Sequence, residues 1–216
     1  MPIDSKETIR KKILKATLDI SDKVNYEDVT MRDVSRAADV SLASIYAHFS
    51  SKEQLLVEMA DEKLSELVAG LKDHDSHIVG TLNRLKLFTW NYLKFHETNP
   101  KISWVIYMST NVQHWHRNLG LWKDTRALGD IFRNILVEGE AEKEVRPEIN
   151  LRLVSHQYFG GLRFLVVNWL LGDRKWSLTS DTDAFAEITF QAVKNTNSER
   201  LDVRCPFLVA NDNVKL

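Results

Sequence analysis

The residues that interrupt helices are scarce in this chain and unevenly placed. All eight glycines lie at or after Gly70, and the four prolines are Pro2, Pro100, Pro147 and Pro206. Alternating apolar and polar residues form no run long enough to predict a strand, whereas apolar residues recur at helical spacing over long stretches. The sequence therefore predicts an all-α protein.

Length and charge limit the classes of function. A chain of 216 residues can form one large domain or two small ones. Its 44% hydrophobic and 27% charged residues are ordinary globular values, which exclude disorder of the whole chain. The balance of 29 Lys and Arg against 30 Asp and Glu excludes a generally basic nucleic-acid coat protein. Any DNA binding must use positive charge that is local.

Cysteine usage and hydropathy indicate the compartment. Cys205 is the single cysteine, which excludes a disulfide within the chain and a multi-thiolate metal site. Residues 1–8 are polar and lack the apolar segment of a signal peptide. The most apolar stretch, Tyr158–Leu171, is interrupted by Arg163 and Asn168 and is too short to span a bilayer. We therefore expect a soluble, cytoplasmic protein.

Helical periodicity divides the chain into two parts and a tail. The three parts are a helix-turn-helix domain over residues 1–52, a helical effector-binding and dimerisation domain over 53–195, and a weakly periodic tail over 196–216. The predicted helices are Ser5–Ser21, Thr30–Ala38, Leu42–Phe49, a long helix starting at Ser51, Ile78–Glu97, Pro100–Met108, Val112–Glu142, Ile149–Leu171 and Ser180–Lys194.

The second and third predicted helices are short and only about four residues apart, which is the spacing of a helix-turn-helix. Thr30 and Ser41 have the hydroxyls that N-caps prefer. Ile45 and Phe49 lie on the inner side of the third helix, and its outer side is small or polar. Such a side allows a helix to approach base edges in the major groove.

These residues resemble a known family. The segment TMRDVSRAADVSLASIYAHFSSKEQL, Thr30–Leu55, looks like the DNA-binding motif of the TetR family of bacterial transcriptional regulators. The resemblance extends back to Ile13 and Ala16 in the first helix. It implies contacts with phosphates or bases from Thr30, Arg32, Ser41, Leu42, Ala43, Ser44, Tyr46, His48 and Lys52.

The chain departs from the family where Asn25, Asp39 and Ala43 replace frequent glycines. Asn25 and Asp39 tolerate turn conformations, so the fold is unaffected. Ala43 adds a methyl group to the recognition helix and alters the surface that reads bases. These departures leave open a helical interaction module whose helix-turn-helix does not bind DNA.

A basic cluster lies beside the motif, with Glu7 as its one acidic neighbour. The cluster is either a solvated helix face or a surface that steers the protein to phosphates, and we favour the second. Helix N-termini add positive potential near the same surface. The cluster consists of Lys6, Arg10, Lys11, Lys12 and Lys15.

One helix-turn-helix reads few base pairs, so two are expected about 34–36 Å apart on a palindrome. The helix Ile149–Leu171 is apolar on two sides and must be covered by neighbours. Gly160 and Gly161 permit a close helix approach, and the family dimerises through this region. The predicted homodimer interface consists of Leu151, Val154, Tyr158, Gly161, Leu162, Leu165, Trp169, Phe185 and Ile188.

The resemblance also implies a pocket for a small-molecule effector. The segment Phe159–Leu178 loosely resembles TetR-type regulators of fatty-acid metabolism, which sense acyl-CoA. This implies a large apolar effector with Arg163 or Arg174 near its charged groups. Aromatic residues at helical spacing also commonly form a core. The candidate pocket residues are Phe88, Trp90, Trp104, Tyr107, Met108, Trp115, Trp122 and Phe132.

Catalysis and metal binding are not expected. His114 and His116 are two residues apart and point to different faces of a helix. His74 and His77 are better spaced but lack an obvious carboxylate partner set. The chain has no nucleophile elbow and no glycine-rich phosphate loop. We therefore predict no cofactor and no enzyme activity, and a helical enzyme is the weakest alternative.

Overall fold

The computed structural model describes residues 6–21, 26, 28–75, 78–108 and 123–195. In this part of the chain the regular structure is helical, which confirms the all-α prediction. A 3-10 turn at Leu178–Asp181 precedes the last helix. The α-helices are α1 Lys6–Ser21, α2 Met31–Ala37, α3 Leu42–His48, α4 Lys52–Asp75, α5 Thr81–Thr98, α6 Pro100–Met108, α7 Lys123–Ala141, α8 Leu151–Leu171 and α9 Thr182–Val193.

Several sequence predictions fall outside the described residues. The first half of the helix predicted over Val112–Glu142 is among them, whereas its second half corresponds to α7. The tail from residue 196 onward is also outside. So are Asn25, His77, His114, Trp115, His116 and Trp122.

Helices α1, α2 and α3 pack around a small apolar core. Ile13 of α1, Val34 of α2 and Ile45 of α3 are fully buried, and Phe49 closes the core after α3. Leu55 of α4 is equally buried, so the fourth helix contributes to the same core. The sequence prediction of a three-helix bundle is confirmed in these residues.

Local hydrogen bonds fix where the short helices begin. The Thr30 hydroxyl accepts a hydrogen bond from the Asp33 amide at 3.2 Å, and the Ser41 hydroxyl accepts one from the Ser44 amide at 3.1 Å. Each satisfies an amide that the first helical turn leaves unpaired. Asp39, in the turn between α2 and α3, has a φ of +48°. Aspartate tolerates this left-handed conformation better than most residues.

The second part of the chain is organised around α5. This helix packs against α4, α6, α7, α8 and α9. Phe88 of α5, Phe132 of α7 and Tyr158 of α8 meet in its centre, with the Phe132 and Tyr158 rings stacked 4.1 Å apart. Aromatic rings in such contact form a close-packed core.

Helix α4 joins the two parts of the molecule. It packs on α1 at one end and on α5, α6 and α7 further along. Among the described residues, none of the helices is long and apolar enough to cross a membrane.

Candidate DNA-binding surface and effector-domain cluster

The outer face of α3 is the most distinctive surface of the N-terminal bundle. Ile45 and Phe49 anchor the inner face in the core with no exposed area. The outer residues Ala43, Tyr46 and Ala47 are exposed. Two alanines beside a tyrosine leave a low surface with one projecting hydroxyl, which suits a helix entering a groove.

The predicted contact residues of α3 and its N-cap are all at least partly accessible. Tyr46 exposes 53% of its surface. Ser41 is also exposed, and Leu42, Ser44 and His48 are half-buried. Each of these five side chains therefore has accessible surface that a phosphate or a base edge can contact.

Thr30 and Arg32 flank this face at the start of α2. Both side chains are exposed. The Thr30 hydroxyl donates to the Asp33 carboxylate at 2.5 Å while it accepts from the Asp33 amide. Its proton is thus committed to the helix cap in the DNA-free protein, so a phosphate contact from Thr30 requires that bond to be exchanged.

Lys52 begins α4 next to the same surface. Its Nζ donates to the Tyr26 backbone carbonyl at 3.4 Å, and its side chain is half-buried. The lysine is therefore held close to the bundle. Its charge lies at a helix N-terminus, where anions are favoured.

The basic cluster of α1 divides into two groups. Lys6, Lys11, Lys12 and Lys15 are exposed, as a steering surface requires. Arg10 differs, because its guanidinium pairs with the Glu58 carboxylate of α4 and lies 5.7 Å over the Phe49 ring. Arg10 therefore joins α1 to α4, and its part in a steering surface stays a prediction.

A polar cluster around the buried His96 combines Tyr107 and Arg163, which the sequence indicated for the effector site, with three residues that it did not indicate. His96 of α5 has 1% exposure, and its Nδ1 lies 2.7 Å from the Ser103 hydroxyl of α6. The Tyr107 hydroxyl lies 3.3 Å from His96 Nε2 and also contacts the Tyr92 hydroxyl. Arg163 of α8 lies over the Tyr107 ring at 5.7 Å. We call these five residues the α6 cluster.

The hydrogen-bond directions in the α6 cluster follow from one contact. Ser103 donates to the Asn99 carbonyl at 2.8 Å, because a carbonyl can only accept. His96 Nδ1 must then carry the proton shared with Ser103, which leaves Nε2 to accept from Tyr107. Tyr107 in turn accepts from Tyr92. The chain of donors thus runs in one direction and leaves none of these groups unsatisfied.

Desolvation keeps His96, Tyr92 and Tyr107 of the α6 cluster neutral at pH 7. Desolvation lowers the pKa of His96 to about 3. Desolvation raises the pKa of Tyr92 to about 12, partly opposed by the hydrogen bond with Tyr107 and by the charge of Arg163. The pKa of Tyr107 is raised for the same first reason. The Arg163 guanidinium is therefore the single charge among these five residues at neutral pH.

The described members of the predicted pocket differ in burial. Phe88 and Phe132 are buried in the aromatic core, with ring centroids 6.2 Å apart. Trp90 and Trp104 are exposed on the outer sides of α5 and α6. Tyr107 and Met108 are half-buried near the end of α6. Trp115 and Trp122 lie outside the described residues, so the pocket as a set remains a prediction.

The predicted dimer residues fall on both sides of α8. Tyr158, Leu162 and Trp169 are buried against the protomer's own helices, so they cannot supply an exposed face. Ile188 of α9 is 71% exposed, and the remaining predicted residues are half-buried: Leu151, Val154, Gly161, Leu165 and Phe185.

The outward side of α8 carries apolar residues that the sequence prediction did not include. Leu153, Phe164 and Leu171 are exposed, Phe164 to 66%. With Ile188 they are the exposed large apolar residues of α8 and α9, and we call this set the α8–α9 face. Gly160 lies on the same side of α8, and a Cβ there would meet no atom within 4 Å.

Within the described residues, no group of three or more His, Cys, Asp and Glu side chains could hold a metal ion.

The N-terminal bundle, with its capped α2–α3 pair and outward small-residue face, defines a helix-turn-helix DNA-binding protein.

Family comparison identifies the class more closely. Residues 13–59 match the model of bacterial regulatory proteins of the tetR family. Residues 60–192 match the C-terminal region of YsiA-like proteins, a TetR C-terminal model. The chain belongs to the TetR family of transcriptional regulators, as the motif in Thr30–Leu55 predicted.

Similar proteins agree with this assignment. The chain is 18% identical over 183 residues to the fatty acid metabolism regulator protein of Bacillus subtilis, covering 85% of this chain and 94% of that one. It is 39% identical over 85 residues to the HTH-type transcriptional repressor KstR of Mycobacterium tuberculosis, covering 35% and 39% of the two chains.

Solved structures show the same fold. The regulator FadR from Bacillus subtilis, in complex with stearoyl-CoA, matches with a TM-score of 0.73 at 18% identity, covering 85% of this chain and 98% of that one. FadR from Bacillus halodurans, a regulator of fatty acid degradation, matches with a TM-score of 0.73 at 20% identity, covering 87% and 97%.

Proposed function

We propose that this protein is a ligand-responsive transcriptional repressor that binds a palindromic operator as a homodimer. The observation that carries the proposal is the outer face of α3, where exposed Ala43, Tyr46 and Ala47 stand over the buried anchors Ile45 and Phe49. A helix of this kind can lie in the major groove, because small side chains let its backbone approach the bases.

Phosphate contacts then set the register of α3 on the duplex. Tyr46 donates its exposed hydroxyl to one phosphate, and Lys52 supplies a charge at the N-terminus of α4. The exposed lysines of α1 attract the duplex during approach, since local positive potential raises the rate of encounter. Neutralising phosphates releases counterions, so affinity should fall steeply as salt rises.

The α8–α9 face forms the dimer interface in this proposal. Leu153, Phe164, Leu171 and Ile188 are each large, apolar and exposed, and a second copy would bury them. Gly160 beside them allows close approach of the partner helix. A two-fold axis here brings two α3 helices to successive turns of the major groove.

The effector that we infer is a long-chain acyl-CoA. Support comes from the relatives: one is a fatty acid metabolism regulator, and one solved structure of the same fold holds stearoyl-CoA. An acyl chain would enter the aromatic core between α5, α7 and α8 by separating the Phe88, Phe132 and Phe159 rings. Arg163 is the cation available beside that core for an anionic group.

Effector and DNA would then oppose each other. A ligand that favours a conformation unsuited to the operator lowers the affinity for DNA, and DNA lowers the affinity for the ligand by the same factor. Repression would be relieved when acyl-CoA accumulates.

Genomic selection tests the DNA-binding part. Sheared genomic DNA from the source organism is incubated with the immobilised protein, and the retained fragments are sequenced. We expect enrichment of a palindrome whose half-sites lie about 10 base pairs apart or a multiple of this spacing. Retention of fragments without a shared motif would contradict the proposal and would favour a helix-turn-helix that no longer reads DNA.

A further inference from the structure

We propose that Lys101 is a positioning residue that couples the effector domain to the DNA-binding bundle by capping the C-terminal end of α1. This inference rests on the proposed function. Lys101 is the second residue of α6, and its Nζ donates to the backbone carbonyl of Ser21. These residues are 80 positions apart, so the contact joins the two parts of the molecule.

The acceptor of this bond is the last residue of α1. The carbonyls at the end of a helix lack partners within the helix and carry the negative end of its dipole. The last turn of α1 contains no basic residue of its own. Lys101 therefore provides a cation that the last turn of α1 lacks, and it does so from the second part of the chain.

The end of α1 is firmly connected to the core of the bundle. Ser21 donates its hydroxyl to the Thr17 carbonyl at 2.7 Å, and Thr17 donates to the Ile13 carbonyl at 2.8 Å. All three residues have no exposed surface. A displacement of Ser21 is thus passed along α1 to Ile13, which packs in the core that positions α3.

The helix that carries Lys101 also contributes to the α6 cluster. Ser103 and Tyr107 follow Lys101 on the same nine-residue helix and both bind His96. Tyr107 also lies beneath Arg163, the cation proposed for the effector. Helix α6 is about 13 Å long, so a ligand that moves Tyr107 moves Lys101 as part of one short rigid element.

A second lysine contacts the chain just beyond α1. Lys52 of α4 donates to the Tyr26 carbonyl, so the carbonyls on either side of residues 22–25 each accept from a lysine of another helix. Lys52 is also a proposed phosphate contact. A ligand that moves Lys101 and a phosphate that moves Lys52 would thus both change contacts with the chain that joins α1 to α2.

Three variants isolate the role of Lys101. Lys101→Met keeps the aliphatic stem and removes the cation, whereas Lys101→Arg keeps the cation and its donors. Lys94→Met is the matched control, because Lys94 is a half-buried lysine of α5 that pairs with Glu97 at 3.1 Å. Operator affinity is measured by fluorescence anisotropy with and without stearoyl-CoA, using a sequence recovered by the genomic selection.

We expect stearoyl-CoA to weaken operator binding to a similar extent in the wild type, in Lys101→Arg and in Lys94→Met. Coupling between two sites is typically about 5- to 150-fold. In Lys101→Met the fold change should shrink by about fivefold or more, while stearoyl-CoA still binds. A merely structural role would lower stability without changing this ratio. Wild-type coupling in Lys101→Met would overturn the proposal.

Hydrogen exchange separates failure of this proposal from failure of the proposed function. Amides in the last turn of α1 should exchange faster in Lys101→Met than in the wild type, and at the wild-type rate in Lys101→Arg and Lys94→Met. If the wild type does not respond to stearoyl-CoA, the effector assignment fails and exchange alone judges the contact. Unchanged exchange in Lys101→Met would then refute the role of Lys101.

Discussion

His96 shows how burial determines the chemistry of a single residue. A histidine that was exposed would titrate near neutral pH, but in this protein its imidazole is enclosed by α5 and α6 and its pKa falls to about 3. The neutral ring can accept from Tyr107 and donate to Ser103 at the same time. Protonation of His96 would turn Nε2 from an acceptor into a donor, and the hydrogen bond from Tyr107 would be lost.

This enclosure predicts a pH-dependent stability. Between pH 6.5 and about 3 the unfolded chain binds a proton at His96 that the folded protein does not bind, so stability falls as pH falls through 6.5. From about pH 7.5 to about pH 5.5 the wild type should lose about 1.4 kcal/mol more than His96→Gln. Urea unfolding at the two pH values measures this difference.

A surface histidine provides the control for that experiment. His156 lies exposed on α8, so His156→Gln makes the same substitution at a histidine outside the α6 cluster. Equal pH dependence in the wild type and His96→Gln would show that His96 is not held neutral in the folded state.

Tyr46 is the residue whose role at the DNA is most easily isolated. Tyr46→Phe removes one exposed hydroxyl and leaves the ring in place, so stability should not change. A hydrogen bond to a charged group contributes about 1.5–3 kcal/mol, so the loss of one such contact should lower operator affinity by about 10- to 150-fold in an anisotropy titration. Unchanged affinity would remove Tyr46 from the phosphate contacts.

At the scale of elements, α7 contains two glycines in different surroundings. A methyl group on Gly139 would overlap the Thr81 hydroxyl and lie 2.9 Å from Val145 Cγ2, whereas one on Gly129 would meet nothing within 4 Å. Gly129→Ala should stabilise the fold by up to about 1 kcal/mol through helix propensity. Gly139→Ala should destabilise it by about 1–3 kcal/mol through overpacking.

Thermal and urea unfolding of both variants check this contrast. The two substitutions add the same methyl group to the same helix, so their difference reports the packing of α7 on Thr81. Similar effects of both substitutions would mean that the start of α5 does not pack closely against α7.

Some helices could be predicted from the sequence and others could not be oriented. The α2–α3 pair depends on local signals, namely the hydroxyls of Thr30 and Ser41 as caps and the spacing of Ile45 and Phe49 as anchors. Periodicity could not orient α8, because this helix is apolar on both sides. Tyr158 faces inward and bonds Thr89 at 2.7 Å, whereas Phe164 faces outward, and tertiary packing makes that choice.

The α6 cluster and the Lys101 contact were beyond prediction for a related reason. His96, Ser103 and Arg163 are brought together by three helices, and no sequence spacing marks them as neighbours. The pairing of Arg10 with Glu58 likewise depends on how α1 lies against α4. Sequence spacing thus indicates contacts within an element and its immediate turn, and tertiary packing decides the remainder.

At the scale of the molecule, the α8–α9 face predicts a dimer. Phe164→Asp combined with Ile188→Asp places charges on two residues that a partner would bury, each contributing about 1.5–3 kcal/mol in the wild type. We expect a monomer in sedimentation velocity. Operator affinity should fall by about 100-fold or more, since two linked binding modules gain affinity of that order.

Val79→Asp is the control for the dimer variant. Val79 is 84% exposed before α5 and is not a member of the α8–α9 face, so a charge there should leave the dimer intact. Persistence of the dimer in the double variant would mean that another surface joins the protomers.

The net charge near zero excludes a generally basic DNA coat protein. Positive potential for DNA must therefore come from the positions of individual groups. The N-termini of α2 and α4, Lys52 and the exposed lysines of α1 all lie in the N-terminal part of the chain, which also contains α3. Acidic side chains such as Asp33 and Glu58 are paired with Arg36 and Arg10. A molecule with a formal charge of −1 can therefore still present a surface for phosphates.

The proposed function depends on α3 reading the sequence of the DNA. Anisotropy titration of a labelled operator duplex and of a scrambled duplex with the same composition, at low and moderate salt, tests it most directly. We predict that the operator binds about 1,000-fold or more tightly than the scrambled duplex, and that both affinities weaken as salt rises. Equal affinity for the two duplexes, or binding that salt leaves unchanged, would contradict the account.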